Sequence, residues 1–262
     1  MTDRILLDRD GPVAIITLSN PARRNAFTPD MRRAITARLQ ELFLDAGCRA
    51  IILTGENGHF CAGADLSRVD PAAPRPTALA TRENMKEVHQ LLKALHAGPK
   101  PVIAAVEGLA YGGGLSMALA CDRIVAAKSA RFGAAFSKLA ILGDMGILYT
   151  LKQRVGLAAA KHILALGPQI TGEEAVQMRL ADELAEEGGA LAAALAVART
   201  YAEQAAPLSL AYTKAAYANG IDRIEDAFQA ELDYLPLVIA SKDFQEALSA
   251  FKDKRAPVFS GA

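Results

Sequence analysis

The chain has 262 residues, of which 52% are hydrophobic, a length that suits one large domain or a smaller domain with an appendage. Lysine plus arginine and aspartate plus glutamate balance at 29 each, so the chain lacks the broad positive field that binds nucleic acid or an anionic membrane surface. It also lacks a signal-peptide pattern and an uncharged apolar run of roughly 20 residues, so we expect a cytoplasmic protein with a small-molecule partner.

The predicted elements begin with a strand–helix–strand unit. Runs rich in β-branched residues at 11–18 and 49–54 are typical of strands, and helical apolar spacing fills 29–43 between them. The alternation continues with a helix over 82–95, a strand over 101–106, a helix that opens at the glycines 112–114, and a strand over 123–126. Such alternation predicts an α/β fold with a mostly parallel sheet.

Two later regions are predicted to differ from this alternation. Prolines at 71, 74 and 76 predict a surface loop over 67–80, because proline neither continues a helix nor donates to a sheet. From residue 190 onward helical patterns dominate, near 190–205, 207–218, 223–236 and 240–252. The last quarter of the chain is therefore predicted to be helical.

The cysteines and histidines do not have the spacing of metal ligands. Cys48, Cys61 and Cys121 are far apart in the sequence and odd in number, which is typical of buried thiols in a reducing compartment. The four histidines form neither an HxxxH nor an HExxH pattern, so no metal site is expected.

Two glycine-containing segments follow predicted strands, at 58–66 and at 108–114. Small residues let a ligand approach the main chain, and a helix that opens in three glycines offers unpaired N–H donors at its positive end. The pattern is compatible with an anion-binding site, and close packing in a tight turn would select the same glycines. The spacing of a nucleotide-binding loop, GxGxxG or GxxxxGK[ST], is missing.

Five motifs occur in order along the chain: 23–26 (RRNA), 60–66 (FCAGADL), 99–108 leading into 112–114 (GGG), 120–122 (ACD), and a closing segment over 251–259. Through these motifs the sequence resembles the crotonase (enoyl-CoA hydratase/isomerase) family along nearly its whole length. The resemblance implies a crotonase-like spiral of ββα units with a C-terminal helical trimerisation region. It divides the chain into an acyl-CoA-binding core over 1–200 and an oligomerisation region over 201–262, and it implies a homotrimer or a hexamer built as a dimer of trimers.

The same resemblance implies where an acyl-CoA thioester binds. In the family the amides that match Ala64 and Gly113 form an oxyanion hole for the thioester carbonyl, and two such donors stabilise a developing enolate. The implied CoA-binding residues are Arg24, Ala26, Ala62, Ala64, Asp65, Leu66 and Gly113. Asp65 also has the character of a turn or helix cap. Acyl-CoA is here the substrate, and no separate cofactor is expected.

The chain departs from the hydratases of the family at both of their catalytic glutamates. Ser116 and Phe136 occupy those positions. A serine without a histidine partner is a poor base near neutral pH, and phenylalanine does not titrate, so this pair cannot activate water. Hydration by the usual pair of acids is therefore not expected.

Asp144 is the acid that remains nearby, within the apolar run 139–148. Desolvation there would raise its pKa and suit it to proton transfer, and Asp144 could also cap a helix that begins at Met145. Relatives with an aspartate at this position include isomerases of unsaturated or ring-bearing acyl-CoAs. Because one acid/base suffices to move a proton between two carbons, we predict an isomerase-type reaction with Asp144 as the catalytic residue.

Three alternatives stay open at this level. The first is an enoyl-CoA hydratase with non-standard acids, for example from 67–80. The second is an aryl-CoA hydrolase like the 4-chlorobenzoyl-CoA dehalogenases, which His89 favours by its place 24 residues before Gly113, and which Phe136 disfavours because those enzymes have a tryptophan there. In that case His89 acts on water, whereas otherwise it is an ordinary polar residue on a helix face. The third is a non-catalytic acyl-CoA binder.

Overall fold

The first predicted unit is present in the computed structural model, which describes residues 4–70 and 72–262. It consists of β2 (Val13–Ser19), α1 (Pro29–Leu44) and β3 (Ala50–Gly55), after an additional strand β1 (Arg4–Asp10). The two predicted strands pair in parallel, while β1 adds to β2 in antiparallel register at the edge. Thr28 begins α1, because its side chain accepts a hydrogen bond from the Met31 amide at 3.3 Å and Pro29 fits the first helical turn.

The remaining strands form two sheets. They are β4 (Val102–Val106), β5 (Leu109–Tyr111), β6 (Arg123–Ala127), β7 (Arg131–Gly133), β8 (Gln169–Thr171) and β9 (Glu183–Ala185). The larger sheet has the order β1-β2-β3-β4-β6-β9 and is parallel from β2 onward, and the smaller has the order β5-β7-β8. The predicted α/β fold with a mostly parallel sheet is confirmed.

The helices after α1 include all the predicted ones, together with a short helix over 172–177 that was not predicted. They are α2 (Ala78–Ala97), α3 (Gly113–Ala120), α4 (Ile147–Leu166), α5 (Gly172–Gln177), α6 (Ala190–Gln204), α7 (Pro207–Asn219), α8 (Ile224–Ile239) and α9 (Lys242–Asp253). In the loop predicted over 67–80, residues 69–70 and 72–77 are exposed and irregular, and Pro71 lies outside the described residues. Helix α2 starts inside that predicted loop, where Thr77 caps it.

The larger sheet is covered on both faces. On one face α1, α2 and α3 pack against side chains such as Leu53 and Ala104. On the other face lies α6, whose buried positions are the alanines 190, 194, 198 and 202. Four alanines at a spacing of four residues form a flat stripe, so the helix approaches Ile103 and its neighbours closely. Burial on both faces explains why β4 is apolar throughout.

Helix α7 is attached to the core through Lys214. Its buried ammonium group donates to the carboxylate of Asp122 at 2.6 Å, and to the carbonyl oxygens of Leu95 at 2.9 Å and Lys100 at 3.0 Å. Asp122 also accepts from the Val102 amide at 2.7 Å. A charge is tolerated at this depth because every one of its donors is used.

Helices α8 and α9 leave apolar side chains uncovered. Those at least half exposed include Phe228, Leu232, Leu235 and Phe251. Contiguous apolar surface of this kind is typical of protein interfaces. The predicted boundary at 200/201 lies inside the last part of α6, and the assignment of 201–262 to oligomerisation stays a prediction. Across the described residues, none of the helices is both long enough and apolar enough to pass through a membrane.

Candidate active site

The peptide group between Gly63 and Ala64 is fixed by a hydrogen bond on its carbonyl side. The Phe27 amide donates to the Gly63 oxygen at 2.8 Å, and the Asp65 amide donates back to the Phe27 oxygen at 3.0 Å. In a trans peptide the C=O and N–H bonds point in opposite directions. The Ala64 N–H therefore points away from Phe27, and no acceptor in 4–70 or 72–262 bonds to it.

The peptide group between Gly112 and Gly113 is fixed in a similar way at the start of α3. Gly112 has φ 51° and ψ −121°, a conformation that glycine adopts readily, and its carbonyl accepts the Ser116 amide at 3.0 Å. Gly113 is the first helical residue, so its N–H has no acceptor within the helix, and no other described residue provides one. The helix dipole adds positive potential at this N–H.

These two peptide groups are neighbours. The strand β5 pairs with Cys61 through an isolated parallel bridge, in which the Cys61 amide donates to Leu109 at 2.7 Å. A methyl group on Gly63 would lie 2.9 Å from the Tyr111 oxygen and 3.6 Å from the Gly113 nitrogen. The structure thus brings the two predicted donors side by side, and their role as an oxyanion hole stays a prediction.

The space beside Gly113 is filled by two apolar side chains. A methyl group on Gly113 would lie 2.8 Å from the Met145 sulfur and 2.8 Å from the Phe27 ring, closer than atoms pack. Met145 is buried and has φ 53°, a left-handed conformation that is uncommon for a bulky residue. The Met145 thioether therefore packs against Gly113, whose N–H is a predicted oxyanion donor.

Asp144 lies half-buried at the end of the irregular segment before α4. Burial raises the pKa of its carboxyl, and this effect exceeds the opposing effects of a hydrogen bond from its own backbone and of the charge on His89. The idea that Asp144 caps a helix starting at Met145 is wrong, because α4 starts at Ile147 with Gly146 as its N-cap. The left-handed φ values of Met145 and Gly146 prevent an earlier start.

The two positions of the missing glutamates are both buried. Phe136 belongs to the hydrophobic core and is 5% exposed. Ser116 is fully buried on α3, where its hydroxyl lies 3.1 Å from the Asp144 carbonyl oxygen and 3.3 Å from that of Gly112. Ser116 therefore contacts the backbone of Asp144, the residue predicted to be the acid/base.

His89 is on the exposed side of α2, as expected for an ordinary polar residue on a helix face. It is nevertheless close enough to Asp144 for its charge to lower the pKa of that carboxyl. Helix α2 packs against α3, and α3 carries Ser116, whose hydroxyl contacts the Asp144 backbone. His89 therefore remains a second titratable group near Asp144.

Of the predicted CoA-binding residues, 24 and 26 lie in one turn, and residue 62 is hydrogen-bonded to that turn. Arg24 is exposed, and its carbonyl accepts the Ala62 amide at 3.0 Å. Ala26 is buried, and its carbonyl accepts from Asn20 at 2.8 Å. The turn depends on Asn25, whose role sequence reasoning missed although it stands in the RRNA motif. Its buried amide group donates to the carbonyls of Glu56 and His59 at 2.8 and 2.6 Å.

Asp65 and Leu66 lie just beyond Ala64. The Asp65 carboxylate accepts from the amide and hydroxyl of Ser67 at 3.1 and 2.6 Å, and so it caps a short 3₁₀ helix at Leu66–Arg68. This confirms its predicted role as a turn or helix cap. Leu66 is 53% exposed and offers apolar surface next to the predicted site.

Two residues beside the site have structural roles. The Tyr111 hydroxyl donates to Gln169 at 3.1 Å, and its ring covers Gly133 so closely that a methyl group there would lie 2.5 Å from a ring carbon. Glu107 accepts from the Ser129 hydroxyl at 2.6 Å and from the Ala190 amide at 3.0 Å. It thereby joins the end of β4 to the first turn of α6, a function that the sequence did not reveal.

The three cysteines are buried thiols, as predicted. Burial raises the pKa of both Cys61 and Cys121 to about 12, so these thiols stay protonated and are poor nucleophiles. Among the residues that the structure describes, no three histidine, cysteine, aspartate or glutamate side chains are grouped so as to hold a metal ion.

Known proteins are similar to this chain along nearly its whole length. The sequence profile of the enoyl-CoA hydratase/isomerase family matches residues 8–262. The chain is 34% identical to the 1,2-epoxyphenylacetyl-CoA isomerase of Escherichia coli K12 over the full length of both proteins, at 100% coverage. It is 32% identical to the (E)-benzylidenesuccinyl-CoA hydratase of Thauera aromatica, over 98% of this chain and 99% of that protein.

The fold agrees with this placement. The crystal structure of an enoyl-CoA hydratase from Polaromonas sp. JS666 superimposes with a TM-score of 0.90 and 32% sequence identity, covering 98% of this chain and 99% of that chain. The crotonase-like fold implied by the sequence motifs is thus confirmed. The chain therefore belongs to the enoyl-CoA hydratase/isomerase (crotonase) family of acyl-CoA enzymes.

Proposed function

We propose that this enzyme stabilises the enolate of an acyl-CoA thioester and moves a proton along the acyl chain with Asp144 as its single acid/base. The amides of Ala64 and Gly113 would hold the thioester oxygen. A thioester α-proton is too weakly acidic for a carboxylate in water, so two fixed donors are needed, and removal of one such donor typically costs about 3 kcal/mol.

The observation that carries the proposal is the position of Asp144. Its half-buried carboxyl, whose pKa burial raises, lies next in sequence to Met145, and Met145 touches Gly113. Ser116 and Phe136 cannot supply a second acid. Because hydration needs a group that places water and isomerisation does not, the arrangement favours isomerisation.

The relatives suggest the kind of acyl group. The isomerase from Escherichia coli and the hydratase from Thauera aromatica both act, by their names, on acyl-CoAs that carry an aromatic or aromatic-derived ring. Apolar side chains on the segment before Asp144, such as Leu139 and Leu142, are exposed and offer contact surface. We propose an unsaturated or ring-bearing acyl-CoA as substrate, with no separate cofactor, and CoA held along residues 24–26, 62 and 64–66 of the core 1–200.

The assembly is part of the proposal. The exposed apolar residues of α8 and α9 support a homotrimer or a dimer of trimers formed through 201–262. A mass determination in solution would test the oligomeric state directly.

A second candidate is an aryl-CoA hydrolase in which Asp144 attacks the ring and His89 activates water. The observation that favours it is the electrostatic effect of His89 on Asp144. Continuous release of an anionic leaving group from a ring-substituted benzoyl-CoA, which His89→Gln would reduce to at most one equivalent per site because the aryl ester on Asp144 is no longer hydrolysed, would identify this activity. A hydratase that recruits other acids would instead give a hydroxyacyl-CoA product.

The decisive experiment is hydrogen exchange at the acyl chain in deuterated water, measured by mass spectrometry for short, long and aromatic acyl-CoAs. The wild type and Asp8→Asn, which removes an exposed carboxylate on β1, should incorporate deuterium equally. Asp144→Asn should bind the same acyl-CoA and lose exchange. Binding by the wild type without exchange would contradict the proposal and identify a non-catalytic acyl-CoA binder.

A further inference from the structure

Ser116 lies between the two halves of the proposed catalytic apparatus. Its hydroxyl oxygen is 3.1 Å from the carbonyl oxygen of Asp144 and 3.3 Å from that of Gly112. The Gly112 carbonyl belongs to the peptide group whose N–H is the Gly113 donor. The Asp144 carbonyl belongs to the residue that carries the acid. One side chain thus contacts the backbone of both.

The single proton of the hydroxyl is best placed on Asp144. Each of the two carbonyls already accepts one backbone amide, Gly112 from Ser116 at 3.0 Å and Asp144 from Ile147 at 3.2 Å. The hydroxyl is closer to the Asp144 oxygen, at 3.1 Å against 3.3 Å. Ser116 is completely buried, so water cannot take the proton instead. A buried hydroxyl without a partner is costly, which makes the bond to the Asp144 carbonyl the favoured state.

The backbone at Asp144 lies outside the helices and strands. It lies in the irregular segment between the 3₁₀ helix Ser137–Leu139 and α4. The next residue, Met145, is in a left-handed conformation and packs against Gly113. The Asp144 carbonyl also accepts the Ile147 amide, at 3.2 Å, but that bond comes from the start of α4. Among the residues that the structure describes, the hydrogen bond from the Ser116 hydroxyl is the one that joins this segment to α3, 28 residues earlier.

We propose that Ser116 is a positioning residue, which holds Asp144 at a fixed place relative to the Gly113 amide. The inference rests on the proposed function and adds a role for a residue that replaces a hydratase glutamate. Ser116 does not exchange a proton with substrate. In place of the catalytic glutamate of the hydratases, Ser116 provides a hydrogen bond that fixes Asp144. The acid and the oxyanion donor can then act on the same acyl group.

The test uses Ser116→Ala and the nearly isosteric Ser116→Cys, whose thiol is a weak donor. The matched control is Thr36→Val, which removes a helical hydroxyl bonded to the Arg32 carbonyl at 3.0 Å in α1. For each protein we would measure kcat and KM of acyl exchange. We would also measure the red shift of cinnamoyl-CoA absorbance on binding, which reports polarisation of the thioester carbonyl without turnover.

The expected result is a kcat lower by roughly ten- to hundredfold in Ser116→Ala, because a small misplacement of a catalytic group has effects of this size. KM should change by less than about twofold, since the contacts that the bound substrate and the transition state share are unchanged. The absorbance shift should also be smaller, Ser116→Cys should be intermediate, and Thr36→Val should match the wild type.

Two outcomes overturn the proposal. One is a Ser116→Ala enzyme that, per folded site, has wild-type kcat and a wild-type absorbance shift. If it does not fold, the same result for Ser116→Cys is decisive. The other is a wild type that shows no shift at all, which would mean that no oxyanion hole exists. If the wild type shifts the absorbance of cinnamoyl-CoA but exchanges no proton, only the proposed function is contradicted. The size of the absorbance shift in the Ser116 variants then tests the role of Ser116.

Discussion

Phe27 contacts both predicted oxyanion donors, with its backbone on one and its ring on the other. Its amide donates to the Gly63 carbonyl at 2.8 Å and so sets the direction of the Ala64 N–H. Its ring lies 2.8 Å from where a methyl group on Gly113 would be. A single core residue therefore packs against both segments that carry the predicted donors, and it helps to fix them as an oxyanion hole requires.

Gly113→Ala should damage both folding and catalysis. Alanine normally stabilises a helix relative to glycine by about 1 kcal/mol. Here the new methyl group would overlap Met145 and Phe27, and such overpacking costs about 1–3 kcal/mol, so a net loss of stability is expected. Acyl exchange should fall by at least about a hundredfold, because the Gly113 N–H is displaced.

Gly47→Ala is the control for that substitution. Its methyl group would meet a side-chain oxygen of Asp45 at 3.3 Å and an Arg9 nitrogen at 4.0 Å, and Gly47 is in an exposed turn after α1. Chemical unfolding and exchange rates should match the wild type. If Gly113→Ala behaved like this control, the close contact of Met145 and Phe27 with Gly113 would be wrong.

The pH dependence of exchange should follow Asp144. Because burial raises the pKa of its carboxyl above the ordinary 3.8, the carboxylate that acts as base forms at a higher pH than in an exposed aspartate. The rate should therefore rise with pH through that pKa and then level off. A plot of kcat/KM against pH measures it, and a midpoint at or below 3.8 would contradict the prediction.

Asp144→Asn should make the folded protein more stable at neutral pH. A raised folded-state pKa means that the folded protein binds the proton more tightly than the unfolded chain, so the wild type loses stability as pH rises from 3.8 through the folded pKa. The neutral amide avoids this loss. Urea unfolding should show an advantage for the variant at pH 7 that shrinks below pH 4, whereas an advantage independent of pH would have another cause.

Lys214→Met tests the attachment of α7. The buried ammonium makes three hydrogen bonds, and loss of one partner of a buried ion pair typically costs about 3–5 kcal/mol. Asp122 keeps its bond from the Val102 amide, so the low end is expected. Lys86→Met removes the exposed pair with Glu83 and should change the free energy of unfolding by less than about 1 kcal/mol.

The sequence predicted the elements that have strong local patterns. Helix α1, helix α6 and the strands β3 and β4 follow from apolar periodicity and β-branched runs, because each buries a face or is buried entirely. The strand β1 and the three-residue strands of the smaller sheet were not predicted. The strands of the smaller sheet pair with segments distant in sequence, and their three residues carry little signal. The strand β1 pairs with the adjacent β2 and lies half-exposed at the edge of the larger sheet.

The site was predictable only in part, and for the same reason. Ala64 and Gly113 followed from family motifs, whereas their packing depends on Phe27 and Met145, which belong to other segments. The left-handed φ of Met145 moved the start of α4 away from Asp144, and no residue preference announces it. The contact of Ser116 with Asp144 likewise arises from tertiary packing.

Glu107 gives the last prediction, since its role emerged only from the structure. Its carboxylate accepts from the Ser129 hydroxyl and from the Ala190 amide at the positive end of α6. Hydrogen bonds to a charged group contribute about 1.5–3 kcal/mol, so Glu107→Ala should lower the free energy of unfolding by about that amount, and Glu107→Gln, which keeps an acceptor, by less. Glu203→Ala, on the exposed side of α6, should stay within about 0.5 kcal/mol of the wild type.

Exchange per folded site should be unchanged in all three variants, because Glu107 joins β4 to α6 and does not touch the Gly113 donor. A loss of exchange without a loss of stability would instead assign Glu107 to the active site.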